Sequence, residues 1–495
     1  MGLNIRRSLS FSFVEKYLGF VLSTVTVVIL SRLLTPAQTG MFALASGLIN
    51  IAQTFRDFGV ATYILQKKDL TRIQLRSAYS VALMLGVGLA VIFAGSSGYL
   101  GRFFGHDEVR TLILLLSINF LLVPFGSVGL ALLRRKMDFG SIMRIGIINT
   151  SVNSVTALTL AWQGFGPMAL AWASLAGVTI NVISAQFFLD ESIFMWPTFK
   201  EWRQVFRFGV FASFGLVLNE ASQRLPEIIV GRILNVSATG YYSRGNSFIT
   251  MFNQTTMDAI WPVASSSLAH MHREEQPLAE AYLRFVALVT GFAWPMLACL
   301  GLLAQPIILL LFGDQWLPSV PVAHALCLAT AILLVGRINN ATMNATGNVV
   351  PAFHSLAAAV PLQIGLLLLV TPKGIEYAAW AASAISLFFS LYSSHQALRL
   401  VDSGWARLLK TVFPSLLVTV VSIVPILAID RFVQADDRTI YWTSFALKCP
   451  ITVLAWFLAL RVVHHPLRAE IATLWDYVRS DLSRRGRRAT RGADQ

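Results

Sequence analysis

The chain has 495 residues, of which 55% are hydrophobic and only 13% are charged. A water-soluble protein of this composition would expose a large apolar surface, so most of the chain is expected to lie in lipid. The formal net charge of +14 could suggest a nucleic-acid-binding protein. However, the Lys and Arg residues fall in short gaps between apolar runs and in a basic tail, which is typical of anchoring at a membrane surface. We therefore expect membrane lipids and no nucleic acid as partners.

Fourteen apolar stretches are long enough to cross a hydrocarbon core, which needs roughly 20 helical residues. They lie near 11–34, 41–65, 78–99, 111–133, 142–163, 167–189, 206–230, 241–268, 281–304, 319–343, 350–371, 376–398, 409–429 and 440–462. The gaps between them are too short for a folded soluble domain. The sequence therefore predicts an all-α integral membrane protein with fourteen transmembrane helices.

Basic residues indicate the orientation of these helices, because Lys and Arg concentrate in cytoplasmic loops. The clearest basic loops are 66–77 and 134–144, and both follow an even-numbered predicted helix. An even number of helices places both termini on the same side. The predicted topology has both termini in the cytoplasm.

An internal repeat at an offset of 200 residues divides the chain. Residues 32–42 (RLLTPAQTGMF) align with residues 232–242 (RILNVSATGYY), and a weaker echo pairs 103–105 (FFG) with 311–313 (LFG), each opening the turn before a helix. Gly40 and Gly240 are expected to end turns. The repeat predicts two parallel six-helix lobes (1–200 and 201–400), a helix pair (401–463), and a cytoplasmic amphipathic helix with a basic tail (464–495). Transporters built from repeats bind their substrate between them.

Enzyme signatures are missing from the sequence. It contains no G-x-x-x-x-G-K-[ST] phosphate loop, no H-E-x-x-H, no G-x-S-x-G and no paired cysteine motif. The adjacent His464 and His465 lie at a predicted helix end and are expected to be solvated caps. We expect no catalytic residues, no cofactor and no metal.

Polar residues inside the predicted helices are the informative ones, because a charge at the centre of a lipid-facing helix costs about 2.5–3.5 kcal/mol. In the second helix, Ser46, Asn50, Gln53 and Asp57 recur every three or four residues and share one face. The eighth helix has a similar stripe, made of Asn246, Thr250, Asn253 and Asp258. The two stripes occupy equivalent places in the two halves, which predicts that they form walls of a shared aqueous cavity.

Three arginines lie in three different predicted helices and favour a cationic interior. They are Arg56, Arg224 and Arg337. A cationic interior suits an anionic substrate, and guanidinium groups match phosphate oxygens well. The predicted substrate-binding residues are Arg56, Arg224, Arg337, Asn50, Gln53, Asn253 and Asn340, and the predicted ion-coupling residues are Asp57, Glu220 and Asp258. A structural alternative stays open, since Glu220 and Arg224 are spaced i,i+4 and could form an ion pair that only joins helices.

Several motifs together resemble a known family. They are Glu15-Lys16-Tyr17, Ser31-Arg32-Leu33-Leu34-Thr35-Pro36, Gly40, Asp57-Phe58-Gly59 and Gln66-Lys67-Lys68-Asp69, followed in the second half by Ile228-Ile229-Val230-Gly231-Arg232, Gly240-Tyr241-Tyr242 and Phe312-Gly313-Asp314-Gln315-Trp316. These motifs resemble the Wzx-like, PST-type oligosaccharide flippases of the MOP (multidrug/oligosaccharidyl-lipid/polysaccharide) superfamily. The resemblance implies two six-helix lobes in a V around a central cavity, with a further helix pair.

The resemblance also implies a function. The expected activity is translocation of an undecaprenyl-pyrophosphate-linked oligosaccharide across the bacterial cytoplasmic (inner) membrane, by alternating access, for exopolysaccharide, capsule or O-antigen assembly. A polysaccharide polymerase or export complex is a further candidate partner. The alternatives are another exporter of the superfamily, with lipid II or a drug as cargo, a membrane glycosyltransferase or ligase, and a scaffold that does not transport.

Overall fold

The computed structural model describes residues 2–57, 60–189, 195–198, 200–432 and 438–473, and these residues contain no β-strand. They form seventeen α-helices: α1 (Gly2–Leu33), α2 (Pro36–Asp57), α3 (Val60–Gln66), α4 (Arg72–Phe104), α5 (Asp107–Arg135), α6 (Phe139–Trp162), α7 (Met168–Phe188), α8 (Trp202–Ile233), α9 (Val236–Phe252), α10 (Asp258–Arg273), α11 (Leu278–Leu302), α12 (Ala304–Leu311), α13 (Val320–Ala345), α14 (Val349–Val370), α15 (Ile375–Leu400), α16 (Trp405–Phe432) and α17 (Arg438–Val462). The all-α prediction is confirmed.

Ten helices in the described part of the chain are long and apolar enough to cross a membrane. Each of the fourteen predicted stretches overlaps at least one helix, but α2, α6, α8 and α9 are not among the ten. The reason is chemical: α2 and α6 carry repeated amides and hydroxyls, α8 carries several charges, and α9 ends after 17 residues. The chain is a multi-pass membrane protein, and the count of fourteen spans stays a prediction.

One predicted helix, 241–268, is wrong in detail because it is interrupted. A π-helical turn (Asn253–Met257) separates α9 from α10. Around this turn the hydroxyl of Thr255 donates to the carbonyl of Met251 at 2.9 Å, and the hydroxyl of Thr256 donates to the carbonyl of Phe252 at 2.6 Å. Such side-chain bonds compete with the backbone ladder and accompany the wider turn.

The repeated motif forms the N-termini of α2 and α9. At α2, Thr35 accepts from the amide of Gln38 at 3.3 Å while the Gln38 side chain accepts from the amide of Thr35 at 3.0 Å. At α9, Asn235 accepts from the amide of Ala238 at 2.8 Å. Both pairs satisfy amides that a helix start leaves without a partner. The repeat therefore preserves two helix starts.

Gly40 and Gly240 lie inside these helices, so the prediction that they end turns is wrong. A Cβ on Gly40 would lie 1.8 Å from the carbonyl oxygen of Val236, and a Cβ on Gly240 would lie 2.0 Å from that of Pro36. Each glycine thus contacts the first residue of the other helix. The repeated glycine is required because the two equivalent helices approach backbone to backbone at their starts.

The second echo of the repeat also pairs across the two halves. The guanidinium of Arg32 donates to the carbonyl of Leu310 at 2.8 Å, and that of Arg232 lies 4.6 Å from the ring centre of Phe103. Gly105 and Gly313 adopt positive φ angles of 74° and 97°, which confirms the predicted turns. Each arginine of one copy therefore contacts the turn segment of the other copy.

Residue contacts divide the chain into two compact units. Unit 1 comprises 1–258, 308–323 and 356–382, and unit 2 comprises 259–307, 324–355 and 383–495. A main core of unit 1 packs Leu44 and Ile49 of α2 against Leu112 and Phe120 of α5. In unit 2, Leu467 and Ile471 pack against the pair formed by α16 and α17. The units are defined by residue contacts, whereas the predicted lobes are defined by the sequence repeat. The units therefore do not test the predicted lobe boundaries, which stay a prediction.

Candidate functional site

Two cavities with polar side chains in their lining lie within unit 1. The first, which we name the Arg224 cavity, has a volume of about 310 Å³. It is lined by Thr39, Phe42, Ala43, Ser46, Ile49, Asn50, Gln53, Leu116, Asn119, Ser174, Arg224, Glu227 and Ser243. Ser46, Asn50 and Gln53 of the polar stripe predicted on α2 line this cavity, and α8 and α9 contribute Arg224, Glu227 and Ser243. The structure therefore brings the predicted Asn50, Gln53 and Arg224 together.

Carboxylates offset the charge of Arg224. Its Nε lies 2.9 Å from Oε1 of Glu220, and its Nη1 lies 4.0 Å from Oε2 of Glu227. Glu227 is only 2% exposed and also accepts hydrogen bonds from Ser243 and Asn246 of α9. The i,i+4 ion pair that the sequence left open is therefore formed, and Arg224 has two acidic neighbours, of which Glu227 also lines the cavity.

The second cavity, which we name the Arg56 cavity, has a volume of about 430 Å³. It is lined by Arg56, Val60, Ala82, Val123, Gly126, Ser127, Leu130, Arg134, Asn149, Asn153, Ser174, Gly177, Val178, Asn181 and Val182. These residues come from α2 to α7, and no carboxylate is among the described residues that line it. Arg56 is 4% exposed and Arg134 is exposed. The described lining of this cavity therefore includes two arginines and no acidic residue.

The two cavities share a lining residue. Ser174 of α7 lines both, and its hydroxyl accepts a hydrogen bond from Nδ2 of Asn119 at 3.1 Å. Asn119 is itself buried and lines the Arg224 cavity. Polar side chains thus continue from one cavity to the other through the interior of unit 1.

Other predicted residues lie outside these two cavities. Asn253 begins the π-helical turn, while Arg337 and Asn340 lie on α13 in unit 2. The side chains of Asp57 and Asp258 lie outside the described part of the structure. The roles assigned to these five residues stay predictions.

Six polar residues that line the Arg56 cavity are not among the predicted site residues: Ser127, Arg134, Asn149, Asn153, Ser174 and Asn181. A signal for two of them was present, since Asn149 and Asn153 are spaced i,i+4 on α6 and therefore share a face. Unlike the stripe on α2, this pair of amides has no charged residue beside it on the same face. The sequence predicts Arg134 in a basic loop, whereas it lies in the last turn of α5.

His465 also differs from its prediction. It is 2% exposed, and its Nε2 lies 3.0 Å from the hydroxyl of Ser415. A Cβ on Gly291 would lie 2.3 Å from its ring, so that glycine leaves room for the imidazole. The expectation of a solvated cap is therefore wrong for His465, because the α17 end packs against α11 and α16.

Comparison with known proteins assigns the family. A family model described as "Polysaccharide biosynthesis protein" matches residues 29–321, which is more than half of the chain. The chain belongs to this polysaccharide biosynthesis protein family. The match includes α2, α8 and α9, and with them the cavity walls and the repeated helix starts. The part of the resemblance that concerns polysaccharide biosynthesis is thereby confirmed.

Three relatives of this family member illustrate the match. The chain is 24% identical over 351 residues to "Teichuronic acid biosynthesis protein TuaB" of Bacillus subtilis (strain 168), covering 68% of this chain and 70% of that protein. It is 28% identical to "Succinoglycan biosynthesis transport protein ExoT" of Rhizobium meliloti (strain 1021), covering 66% and 67%. It is 24% identical to "Lipopolysaccharide biosynthesis protein WzxC" of Escherichia coli (strain K12), covering 64% and 65%.

Solved structures share the fold of this family member. A "Lipid II flippase MurJ, inward closed conformation" superposes with a TM-score of 0.77 at 14% identity, covering 93% of this chain and 99% of that one. An inward-facing multidrug resistance MATE family transporter of the MOP superfamily superposes with a TM-score of 0.62 at 15% identity, covering 78% and 96%. The polysaccharide biosynthesis protein therefore has the fold of a membrane transporter.

Proposed function

We propose that the protein is a flippase that moves an undecaprenyl-pyrophosphate-linked oligosaccharide across the bacterial inner membrane, from the cytoplasmic to the outer leaflet. The observation that carries the proposal is the Arg56 cavity, whose described lining contains the buried Arg56, the exposed Arg134 and no carboxylate. The names of the relatives support a polysaccharide precursor as cargo. The proposed topology has both termini in the cytoplasm.

A cationic cavity would lower the free-energy cost of moving the charged head group across the membrane. The diphosphate is an anion, and moving a bare anion through hydrocarbon costs far more than thermal energy supplies. Guanidinium groups lower this cost because they donate charge-assisted hydrogen bonds to phosphate oxygens. Arg56 and Arg134 would hold the head group while the lipid tail remains in the bilayer.

The remaining predicted residues have roles in the same proposal. Arg337, Asn253 and Asn340 would contact the cargo in another stage of an alternating-access cycle, in which the two predicted lobes rock about the central cavity. Asp57, Glu220 and Asp258 would couple transport to an ion gradient, since each elementary charge gains about 2.3 kcal/mol per 100 mV. In this proposal the protein is a transporter and catalyses no chemical step. A drug exporter would require an acidic cavity, whereas the Arg56 cavity has no described carboxylate in its lining and the carboxylates at the Arg224 cavity lie beside Arg224.

A leaflet-sidedness assay tests this proposal. The purified protein is reconstituted in vesicles with a fluorescent undecaprenyl-pyrophosphate oligosaccharide, and the fraction accessible to a membrane-impermeant quencher is followed over time. We expect Arg56→Gln to slow flipping by at least about tenfold, because a hydrogen bond to a charged group contributes about 1.5–3 kcal/mol. Arg56→Lys keeps the charge and should retain part of the rate.

Parallel variants separate the contributions of the three predicted arginines. Arg224→Gln and Arg337→Gln are compared with Arg407→Gln, which removes an exposed arginine from the first turn of α16. We expect the control to flip lipid at the wild-type rate. Unchanged flipping in the Arg56, Arg224 and Arg337 variants alike would contradict the cationic pathway.

A further inference from the structure

Three asparagines of the Arg56 cavity have unused hydrogen-bonding capacity. Asn149 and Asn153 of α6 and Asn181 of α7 line the cavity and are partly exposed to it. Among the residues that the structure describes, none provides a hydrogen bond to these three amide groups. Each amide offers two donors and an acceptor. Such groups in an otherwise apolar bundle would be costly unless water or a ligand satisfied them.

Two glycines create the space that these amides occupy. A Cβ on Gly177 of α7 would lie 2.7 Å from Oδ1 of Asn149 and 3.4 Å from Nδ2 of Asn153. A Cβ on Gly126 of α5 would lie 3.1 Å from Oδ1 of Asn181. Any other residue at these positions would push the amides aside. Each of the three amides therefore packs against a glycine, which leaves the space that the amide occupies.

The chemistry of the cavity indicates its ligand. A hydroxyl group both donates and accepts, and an amide matches it with one group of each kind. A cluster of three amides therefore suits a molecule rich in hydroxyls, and the two arginines add a site for an anion. A lipid diphosphate only accepts hydrogen bonds, so it could partner the amide NH2 groups but would leave the three amide oxygens without donors. The volume of about 430 Å³ falls in the range of small-molecule sites.

We propose that the Arg56 cavity is a saccharide-binding site in which Asn149, Asn153 and Asn181 bind hydroxyl groups of the sugar residues next to the diphosphate of the cargo. This inference rests on the proposed function and adds the part of the cargo that is bound and the residues that bind it. In this inference, the first six-helix lobe is the part of the protein that distinguishes a lipid carrier with sugar residues from a carrier without them.

Equilibrium binding to the full-length protein in lipid nanodiscs tests the inference. The probes are farnesyl diphosphate and two glycosylated forms of it, carrying galactose or N-acetylglucosamine. We expect the wild type to bind at least one glycosylated probe about tenfold more tightly than farnesyl diphosphate. Asn149→Leu, Asn153→Leu and Asn181→Leu should each reduce this preference by roughly fivefold, since a net hydrogen bond is worth close to that factor.

Matched variants control for effects on the fold. Thr156→Val on α6 and Thr179→Val on α7 also remove a polar group, but both residues line an apolar groove that contains none of the three asparagines. We expect these variants to keep the wild-type preference. Gly177→Ala keeps every amide and displaces two of them, so it should lower the preference as the asparagine variants do. Thermal unfolding of each variant shows whether the protein remains folded.

The outcomes separate this inference from the proposed function. Equal wild-type affinity for all three probes would overturn the saccharide site, while Arg56-dependent binding of farnesyl diphosphate would leave the flippase proposal standing. An equal loss of preference in the threonine controls would also overturn the site. Failure of the folded wild type to bind any probe would contradict the proposed function and the inference with it.

Discussion

At the scale of single residues, His465 is a buried imidazole with neutral partners. The amide of Leu467 donates to its Nδ1 at 3.2 Å, so Nδ1 accepts and Nε2 carries the proton that faces Ser415. Ser415 in turn lies 2.8 Å from the hydroxyl of Thr290 on α11. Burial lowers the pKa of His465 below its ordinary value of 6.5, because the charged form would lose its hydration.

This pKa shift predicts how stability depends on pH. The folded state binds fewer protons at His465 than the unfolded state does. The contribution of His465 to the free energy of unfolding is therefore fully present above the unfolded-state pKa, and it is lost as the pH falls through the folded-state pKa. We expect the thermal midpoint in detergent to be lower at a pH of about 5 than at about 7.5. His465→Gln should flatten this difference, and the equivalent substitution at exposed His464 should not. Identical pH profiles in the wild type and His465→Gln would contradict the assignment.

Arg244 shows how far the two repeats have diverged at one position. Its equivalent in the first copy is Leu44, a fully buried residue of the α2 core. Arg244 is 6% exposed, and its guanidinium lies 5.0 Å from the ring centre of Phe312 and 4.6 Å from that of Trp316. A cation stacked on two rings retains part of the stabilisation that hydration would give. The same place in the fold is thus filled by an apolar contact in one copy and by cation–π contacts in the other.

At the scale of helices, α2 and α6 each present periodic polar residues to a cavity. The stripe on α2 could be predicted because its polar residues follow the helical period and adjoin a charge. The asparagines of α6 carry the same periodic signal, but their importance depends on Gly177 of α7, and no sequence pattern shows which helix will lie opposite. The ion pair of Arg224 could be stated only as an alternative, because spacing alone does not decide whether two side chains point at each other.

The crossing of α2 and α9 leads to a prediction for these helices. Gly40→Ala would place a methyl group against a backbone carbonyl that cannot move without shifting a helix, so we expect a large loss of folded protein in detergent. Gly88→Ala on α4 is the matched control, since a Cβ there meets nothing within 4 Å. Alanine should be tolerated or favoured there, because glycine costs up to about 1 kcal/mol in a helix interior. Size-exclusion chromatography after solubilisation compares the two, and equal yields would argue against the close approach.

At the scale of the whole molecule, the sequence indicated the class of protein, the repeat and the family. It could not indicate the packing units, because contacts between distant segments depend on side-chain shapes at crossings. The segment 308–323 comes from the second half of the chain, yet it belongs to the unit that contains α1 to α9. Its Gln315 and Trp316 both donate to the carbonyl of Ser31 at the end of α1, at 2.7 and 2.8 Å.

That attachment can be used to test alternating access. The contact lies at the end of the bundle predicted to face outward, and a transporter must open this end to release cargo. Leu34→Cys and Gln315→Cys are combined after Cys299, Cys327 and Cys449 are replaced by alanine, and a short bifunctional thiol reagent joins the pair. We expect flipping to stop when the pair is joined, while either single cysteine variant treated in the same way should keep its rate. Full flipping by the cross-linked protein would show that this contact does not open.

The segments of the two units alternate along the sequence, and this order determines when each unit can be completed during synthesis. Unit 1 recruits residues 356–382, whereas its first segment ends at residue 258. At about 10 residues per second, the ribosome needs on the order of ten seconds to cover that interval. During this time the polar faces of α2 and α6 are already in the bilayer, without the late segment that completes their unit. Nascent chains stalled before residue 382 should therefore be more sensitive to proteases and more dependent on insertion chaperones than chains stalled after it.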